Sequence, residues 1–467
     1  MNFSCIRANW QRLRQSAVFF GAFATGVRVG ANLLLLPLLL SRMPSSELAL
    51  WYVFLALGGF ANLADFGFGS AISRVYSFLW AGAEDFDAEG LRPPSKNREP
   101  NLPRLRQLTR TVRFFYWRLS MAAALLLAVA GTVVLVRPVA AVADAQLAWI
   151  CWAAYLLTIG YNLGTSWWML ACQGIGRVRE LQAAYTWSGM VYVVCAAALL
   201  LKGWGLPAVV VASALRGVIM RMYCRRVYYA AVPKLPASQG LPDREILKRL
   251  WPNASKLGMI SIGAYLINNG SVLISSHFLE SKVTASLGVT MQIGAFLMSF
   301  AGLWLTVKWP QLTMLRTQGR LEEMSVLFAR RLAFTMASFV LLATFVVMVG
   351  NPLLAWKGTQ TRLLPTPALV FYFLYLTQQL FYVQFGALAY TENVVPFFKI
   401  SIFTGLWMLT LSFGLTWAYG FWGMMAAPLL AEATYSSWYT VKRGFTGQPL
   451  TSRQLFRAAL SGKLTPR

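Results

Sequence analysis

The sequence predicts an all-α polytopic membrane protein with about twelve membrane-spanning helices in two six-helix lobes. Its 467 residues are 57% hydrophobic and only 12% charged, whereas about a quarter of the residues in a soluble globular domain are charged. Apolar windows of roughly 20 residues, each long enough to cross a bilayer, recur along the chain. A polar, amphipathic segment near the middle divides these windows into two equal groups.

The predicted spans define the domain organisation. A first lobe covers residues 1–222, a cytoplasmic amphipathic connector 223–255, a second lobe 256–440, and a basic cytoplasmic tail 441–467. The first apolar run is too long for a signal-peptide core, so we expect it to remain as a span. The spans are predicted at about 17–41, 48–72, 114–136, 147–171, 182–201, 205–222, 256–276, 284–306, 332–350, 367–390, 396–419 and 421–440.

The basic residues are distributed unequally between the two sides of these spans. The side that includes both tails carries 32 Lys and Arg residues, and the other side carries six. The positive-inside rule therefore predicts that both termini are cytoplasmic. The net charge of +26 suits an anionic inner leaflet, and the basic residues form no single soluble domain with a recognition motif. We therefore expect anionic lipids, and no nucleic acid, as partners.

The connector contains a short amphipathic helix. Asp243 can cap the segment DREILKRLW, in which Ile246, Leu247 and Leu250 share one face and basic residues share another. This pattern predicts a helix that lies on the membrane surface.

Two ionisable residues of the first two spans are the leading candidates for a functional site. Arg28 lies eleven residues into the first span, ~16 Å from its cytoplasmic end. An ionisable group at this depth costs several kcal/mol unless it is paired or lines an aqueous pathway. Asn32 lies on the same helical face as Arg28 in the first span. In the second span, Asn62 lies on the same face as Asp65. An ion pair between Arg28 and Asp65 is geometrically possible, and it would either serve function or lock the two helices together.

Other polar residues at membrane depth have two open interpretations. Arg74 follows the glycine-containing DFGFGS segment and either enters a cavity or reaches the headgroups, whereas Arg118 and Arg216 are expected to reach the headgroups. Glu432 is the second carboxylate that lies well inside a span, and it serves either ion coupling or helix packing. A further set either lines a cavity or joins helices: Tyr161, Asn162, Thr165, Ser166, Gln292, Tyr375, Gln378, Gln379 and Tyr382.

Two stretches resemble a known family. Residues 33–74, LLLLPLLLSRMPSSELALWYVFLALGGFANLADFGFGSAISR, resemble the opening hairpin of the Wzx-like polysaccharide and O-antigen flippases. These belong to the multidrug/oligosaccharidyl-lipid/polysaccharide exporter (MOP) superfamily. Residues 265–331 resemble its seventh and eighth spans and the helix that follows, including Pro310 and the turn from Gly319 to Glu323. The other spans resemble the family in number and spacing.

The resemblance implies two lobes around a central cavity that opens alternately to each side of the inner membrane. The cargo would be an undecaprenyl-diphosphate-linked oligosaccharide, with polysaccharide-assembly proteins as further partners. The implied substrate-binding residues are Arg28, Asn32, Asn62, Asp65 and Arg74. Asp65 and Glu432 are candidates for coupling to a proton or sodium gradient, and no other cofactor is expected. In the seventh span Asn268, Asn269 and Gly270 stand where an Asp is frequent in relatives, which argues against copying an ion site from them.

Other functions fit the sequence less well. An organic-cation or multidrug antiporter of the same fold remains the alternative, although its cavity should be more acidic. Fourteen-span lipid II flippases differ from the predicted span count. No catalytic residue or metal site is predicted, because the extracytoplasmic loops are short and His277, the chain's only histidine, lies in no metal-binding sequence pattern. No Walker A motif is present.

Overall fold

The structure, a computed structural model, describes residues 35–85, 99–232, 243–391, 397–446 and 454. Within these ranges all regular elements are helical, and no strand occurs. Eight helical segments of the described chain are long and apolar enough to cross a membrane. The predicted fold class, a polytopic all-α membrane protein, is confirmed.

We number the helices in chain order, and two of them are extended by a π-helical turn. In the first half the helices are α1 Ser45–Ala64, α2 Phe68–Trp80, α3 Leu102–Leu126, a π-helical turn Leu127–Gly131, α4 Thr132–Ala140, α5 Ala145–Gly164, α6 Trp167–Gly174, α7 Val178–Leu201 and α8 Leu206–Ala231. In the second half they are α9 Arg244–Phe278, α10 Ser281–Thr306, α11 Trp309–Thr317, α12 Leu321–Trp356, α13 Thr366–Tyr390, α14 Phe398–Ala431, a π-helical turn Glu432–Ser436 and α15 Ser437–Phe445.

Helices occupy each predicted span that the structure describes. Residues 35–41 of the first predicted span are helical, and the rest of that span lies outside the described residues. The second and fourth predicted spans are each broken into two helices, α1 with α2 and α5 with α6. The last two spans are the two arms of α14, which leaves helical geometry at Gly420.

The chain forms two compact units, one ending at Tyr265 and the other beginning at Leu266. In the first unit, a buried core joins α2, α3, α6 and α8 and includes Ile72, Tyr76, Leu108, Tyr116 and Tyr228. In the second unit, a smaller core joins α11, α12 and α13 and includes Leu312, Met324, Phe328, Phe385 and Leu388. The predicted boundaries of the connector and the tail remain predictions.

The amphipathic helix of the connector differs from the prediction. Asp243 does cap it, because its Oδ1 accepts a hydrogen bond of 2.9 Å from the Glu245 N–H. However, the segment is the beginning of α9, which continues without interruption to Phe278. Ile246 and Leu250 are 3% and 5% exposed and belong to the core of the first unit. The expectation of a membrane-surface helix was therefore wrong, because protein rather than lipid covers its apolar face.

Each unit uses the same sharp turn between two helices. Gly205 precedes α8 with φ 54° and ψ −128°, and Gly420 separates the arms of α14 with φ 56° and ψ −133°. Only glycine adopts this conformation without strain. The two glycines therefore mark equivalent points of the two halves, between the fifth and sixth predicted spans and between the eleventh and twelfth.

Candidate functional site

The break in the second predicted span places a carboxylate on the wall of a cavity. α1 ends at Ala64, and the chain turns through Phe66 and Gly67, with φ angles of 44° and 75°. Asp65 begins this turn. Its Oδ2 accepts a hydrogen bond of 3.0 Å from the Gly69 N–H, and its Oδ1 accepts one from the Tyr116 hydroxyl on α3. Both carboxylate oxygens are thus held by protein donors.

The fourth predicted span is broken at Thr165 and Ser166. Their hydroxyls bond back to the preceding turn, Thr165 Oγ1 to the Tyr161 carbonyl at 2.5 Å and Ser166 Oγ to the Leu163 carbonyl at 2.8 Å. Both carbonyls also accept a backbone N–H bond, from Thr165 and Ser166 respectively, so the two hydroxyls add a second hydrogen bond at the break. Ser166 lies at the cavity wall as a result.

The cavity of the first unit has a volume of about 530 Å³ and is formed by residues of α1, α5, α6 and α8 and by the turn at Asp65. Leucine, isoleucine, methionine and small residues make up its apolar wall. Its polar lining residues are Asp65, Tyr155, Thr158, Asn162, Ser166, Ser213, Arg216 and Arg221. Among the described residues that line it, two guanidinium groups accompany one carboxylate, so this lining is cationic in balance.

Arg221 is held against α5. Its Nη2 donates a hydrogen bond of 3.0 Å to the Asn162 carbonyl, and its buried Nε has no hydrogen-bond partner among the described residues. Gly217, one turn earlier on α8, permits this close packing, because a Cβ there would lie 2.5 Å from Asn162 Oδ1. The Arg216 guanidinium lies 5.6 Å from the centre of the Tyr192 ring. A buried guanidinium with an unused N–H is a donor available to an anion.

The structure brings together only part of the predicted site. Asp65 lines the cavity, whereas Arg74 is exposed on α2 and is not part of the lining. Arg28 and Asn32 lie outside the described residues, so the predicted pair between Arg28 and Asp65 stays a prediction. Asn62 lies in α1, close in sequence to the cavity residue Ala61.

One arginine of the cavity changes its interpretation, and another was not predicted. Arg118 is exposed, as expected, with its guanidinium 4.2 Å from the centre of the Phe114 ring. Arg216 was expected to reach the headgroups, but it lines the cavity. Arg221 was missed as a site residue because the sixth span was predicted to end at residue 222. This boundary grouped Arg221 with the basic residues of the cytoplasmic connector. The available signal was the spacing of Ser213, Arg216 and Arg221 within one helix that continues to Ala231.

The second unit contains a buried carboxylate. Glu432 is 0% exposed and begins the π-helical turn that follows α14. Its Oε1 accepts hydrogen bonds from Gln379 Nε2 at 3.1 Å and from the Tyr382 hydroxyl at 2.8 Å. Its Oε2 has no hydrogen-bond partner among the described residues. Gln379 also donates to the Tyr375 hydroxyl at 3.0 Å, so three predicted polar residues of the tenth span gather at Glu432.

A small cavity of about 40 Å³ lies beside this cluster. Tyr375 and Gln379 line it together with Asn268 and Ser271 of α9. Gln378, the remaining polar residue of this group on α13, donates instead to Ser437 Oγ at 2.7 Å. The carboxylate of the second unit is therefore close to a polar space, whereas Gln378 serves to join two helices.

The equivalent turns at Gly205 and Gly420 allow the two units to be compared residue by residue. Counting twelve residues from each glycine, Gly217 of the first unit corresponds to Glu432 of the second. Counting eleven residues, Arg216 corresponds to Ala431. The helix that follows the glycine turn thus contains Arg216 in the first unit, whereas in the second unit it is followed directly by Glu432.

No protein-family model and no curated protein matches this chain. Solved structures do match it. A multidrug resistance MATE family transporter of the MOP superfamily, in an inward-facing conformation, aligns with a TM-score of 0.59 and 13% identity over 94% of this chain and 96% of its own. The lipid II flippase MurJ, in an inward closed conformation, aligns with a TM-score of 0.64 and 12% identity over 95% and 90%. The chain has a MOP-like fold.

Two further structures with a MOP-like fold show how varied its members are. The MATE multidrug transporter DinF-BH, solved in complex with rhodamine 6G, aligns with a TM-score of 0.59 and 12% identity over 96% of each chain. A MOP superfamily transporter from Pyrococcus furiosus aligns with a TM-score of 0.52 and 13% identity over 92% and 95%, and is described as having a binding pocket of reverse polarity. At these identities the similarity shows the fold and leaves the substrate to the site itself.

Proposed function

We propose that this protein is an alternating-access transporter that moves an undecaprenyl-diphosphate-linked oligosaccharide from the cytoplasmic to the periplasmic leaflet of the inner membrane. The observation that carries the proposal is the charge of the first-unit cavity. Its described lining contains two arginines and one carboxylate, Asp65, which is held by Tyr116 and Gly69. A cavity of this polarity favours an anionic group over a cationic one.

The chemistry of the cavity suits a diphosphate joined to a sugar. Arginine binds phosphate oxygens through two parallel N–H donors, which makes it the preferred residue for this group. Asn162, Ser166 and Ser213 supply additional hydrogen-bonding groups for sugar hydroxyls. A volume of about 530 Å³ is in the range of small-molecule sites. It therefore suits the diphosphate and the first sugars, while the lipid tail would stay in the bilayer.

The alternative is an ion-coupled antiporter for organic cations. One neighbour with this fold was solved with rhodamine 6G, and another is a lipid II flippase, so the fold favours neither interpretation. The feature that favours the antiporter is the pair of membrane carboxylates, Asp65 and Glu432. Asp65 shares its cavity with Arg216 and Arg221, which would repel a cationic drug.

Glu432 is the proposed coupling site, with Asp65 as the second candidate. An unpartnered carboxylate oxygen in a buried site is costly unless a proton or a cation binds to it. Tyr382 and Gln379 occupy the other oxygen, which leaves Oε2 available to a proton or to sodium. The gradient that drives transport would then act at a carboxylate separate from the cationic cavity of the first unit.

The remaining predicted roles are kept as proposals. Arg28, Asn32, Asn62 and Arg74 would bind the substrate along its path. Both termini would be cytoplasmic, and anionic lipids and polysaccharide-assembly proteins would be partners.

Purified proteoliposomes test the proposal directly. Movement of an undecaprenyl-diphosphate oligosaccharide and of the cationic dye rhodamine 6G would be followed under proton and sodium gradients. We expect the lipid-linked sugar to move, and Arg221→Ala to slow it at least tenfold because an anion-binding donor is lost, while Arg221→Lys recovers part of the rate. Arg28→Ala is expected to have a comparable effect.

Arg118→Ala is the matched control, because it removes an exposed arginine that stacks on Phe114. It should leave transport within twofold of the wild-type rate. Movement of rhodamine 6G without movement of the lipid-linked sugar would establish the antiporter instead.

A further inference from the structure

The turn that carries Asp65 is packed against the first half of α9. Phe66 is the one non-glycine residue with a positive φ in the described part of the chain. Its ring stacks on that of Trp251, with 5.6 Å between the ring centres and 17° between the planes. A Cβ on Gly258 would lie 2.5 Å from Phe66 Cγ. The Phe66 ring therefore packs directly on α9 at residue 258, and only glycine at this position leaves room for it.

Gly67 makes a second close contact between the turn and α9. A Cβ on Gly67 would lie 2.6 Å from both the Ala254 carbonyl oxygen and Leu257 Cβ. Its φ of 75° is also unfavourable for any side chain. The turn and α9 thus meet backbone to backbone, and the unfavourable conformation of Phe66 persists because the neighbouring helix holds it.

The first half of α9 is anchored on either side of this contact. At its beginning, the Asp243 N–H donates to Thr111 Oγ1 at 3.0 Å, and Arg249 Nη1 donates to Asp85 Oδ2 at 3.0 Å. Further along, the Tyr265 hydroxyl donates to the Ala56 carbonyl of α1 at 3.0 Å. The helix then continues to Phe278, beyond the boundary between the units at Tyr265.

We propose that Phe66 is a positioning residue that couples α9 to the cavity carboxylate Asp65. Asp65 and Phe66 are consecutive residues of one turn. A change in how Phe66 packs on Gly258 therefore changes the orientation of the Asp65 side chain in the cavity. Conversely, a change in the bonds of Asp65 alters the hold on α9. This inference rests on the proposed function for its use in transport, but the coupling itself is measurable without any substrate.

Hydrogen–deuterium exchange on the full-length protein in nanodiscs measures the coupling. We expect Asp65→Asn to accelerate exchange of the peptide covering residues 251–261 at least threefold, although the hydrogen bonds of Asp65 go to α2 and α3 rather than to α9. Tyr116→Phe, which leaves Asp65 in place, should act in the same direction. Phe66→Ala should accelerate exchange by itself, and adding Asp65→Asn to it should change nothing further.

Asp144→Asn is the matched control, because Asp144 caps α5 on a different loop through the Leu147 N–H. Exchange of residues 251–261 in this variant should equal that of the wild type. If Asp65→Asn and Tyr116→Phe also leave this exchange unchanged, or if their effects add fully to that of Phe66→Ala, the coupling does not exist.

Transport provides the second test. Gly258→Val, which pushes against the Phe66 ring, is expected to lower the rate of whichever probe the wild type moves by at least tenfold, and Phe66→Ala added to it should lower the rate no further, because both substitutions break the same contact. Gly414→Val is the control, because Gly414 is exposed and, apart from the backbone of its own helix and its chain neighbours, no heavy atom lies within 4 Å of the place that its Cβ would take. A Gly258→Val protein that transports at the wild-type rate would overturn the proposal. If the wild type moves neither probe, the proposed function fails, and the exchange measurement still decides the coupling.

Discussion

Arg216 and Arg221 lie near the end of the sixth span, where long cationic side chains usually reach the headgroups. In this protein both line a cavity, because α8 extends to Ala231 and packs Gly217 directly against Asn162. Arg74 and Arg118 lie at comparable positions along their helices and are exposed. The face on which an arginine lies therefore decides its environment here, more than its distance from the end of the span.

Glu432 is predicted to couple transport to an ion gradient, and a substitution of this residue tests the prediction. Glu432→Gln keeps an oxygen that accepts from Tyr382 and Gln379, but it removes the oxygen that would take up a proton or a cation. We expect gradient-driven uptake of the lipid-linked sugar in proteoliposomes to fall at least tenfold. Exchange of the same substrate across the membrane without a gradient should stay within threefold of the wild-type rate.

Glu323→Gln is the control for this substitution, since Glu323 forms an exposed ion pair with Arg320 at 2.6 Å. It should alter neither assay. Equal losses of driven transport and of exchange in Glu432→Gln would mean that Glu432 has a packing role and couples no ion.

At the scale of elements, the helical breaks determine how side chains reach the cavity. The turn at Asp65 to Gly67 and the break at Thr165 and Ser166 both interrupt spans that hydropathy alone would draw as continuous. Such breaks are tolerated at membrane depth where protein groups satisfy the released backbone or where the chain lines a cavity. Here the second condition is met, since Asp65 and Ser166 both lie in the wall of the cavity.

The two equivalent glycine turns give a prediction at this scale. Gly420→Ala is expected to destabilise the protein by about 1–3 kcal/mol, because φ 56° with ψ −133° is strained for alanine. Gly205→Ala should cost about 1 kcal/mol more, because its Cβ would overlap Glu47 Oε2. That oxygen accepts a hydrogen bond of 2.7 Å from the Leu206 N–H at the start of α8, and the substitution would displace it.

Thermal unfolding in detergent, followed by circular dichroism, measures the order of these two effects. Gly414→Ala serves as the reference, because Gly414 is exposed within α14 and has free space around it. We expect the unfolding midpoint to decrease from Gly414→Ala to Gly420→Ala to Gly205→Ala. Equal midpoints for the last two would show that the contact with Glu47 adds nothing.

At the scale of the whole molecule, the two units share the glycine turn at Gly205 and Gly420 and differ in the charge of their sites. The first unit has a cavity of about 530 Å³ with two arginines, and the second has one of about 40 Å³ beside a buried glutamate. Gly217 and Glu432 lie at the same distance after their turns, so the two units place different groups at corresponding points of the chain. This asymmetry supports a division of the molecule into a substrate site and a coupling site.

The topology is the prediction at this scale. A reporter fused after Arg92 should be cytoplasmic and one fused after Lys357 periplasmic, because 32 basic residues lie on one side of the predicted spans and six on the other. Alkaline phosphatase and green fluorescent protein fusions in a bacterial host measure the two locations. A periplasmic reporter after Arg92, or a cytoplasmic one after Lys357, would require a different number of spans.

The sequence by itself determined the class of protein and the approximate positions of the helices, without the breaks in the second and fourth spans. Hydropathy and helical spacing are local properties that can be summed along the chain, so these features follow without a structure. Asp243 was also predicted correctly as a cap, because capping involves only the next few residues.

Only the tertiary structure decided which polar groups meet. The grouping of Asp65 with Arg216 and Arg221, the burial of Ile246 in protein rather than at the membrane surface, and the seating of Phe66 on Gly258 all depend on contacts between distant segments. Periodicity shows which residues share a face of one helix, but it does not show which face meets another helix. That choice is made by the complementary packing of surfaces from the whole chain.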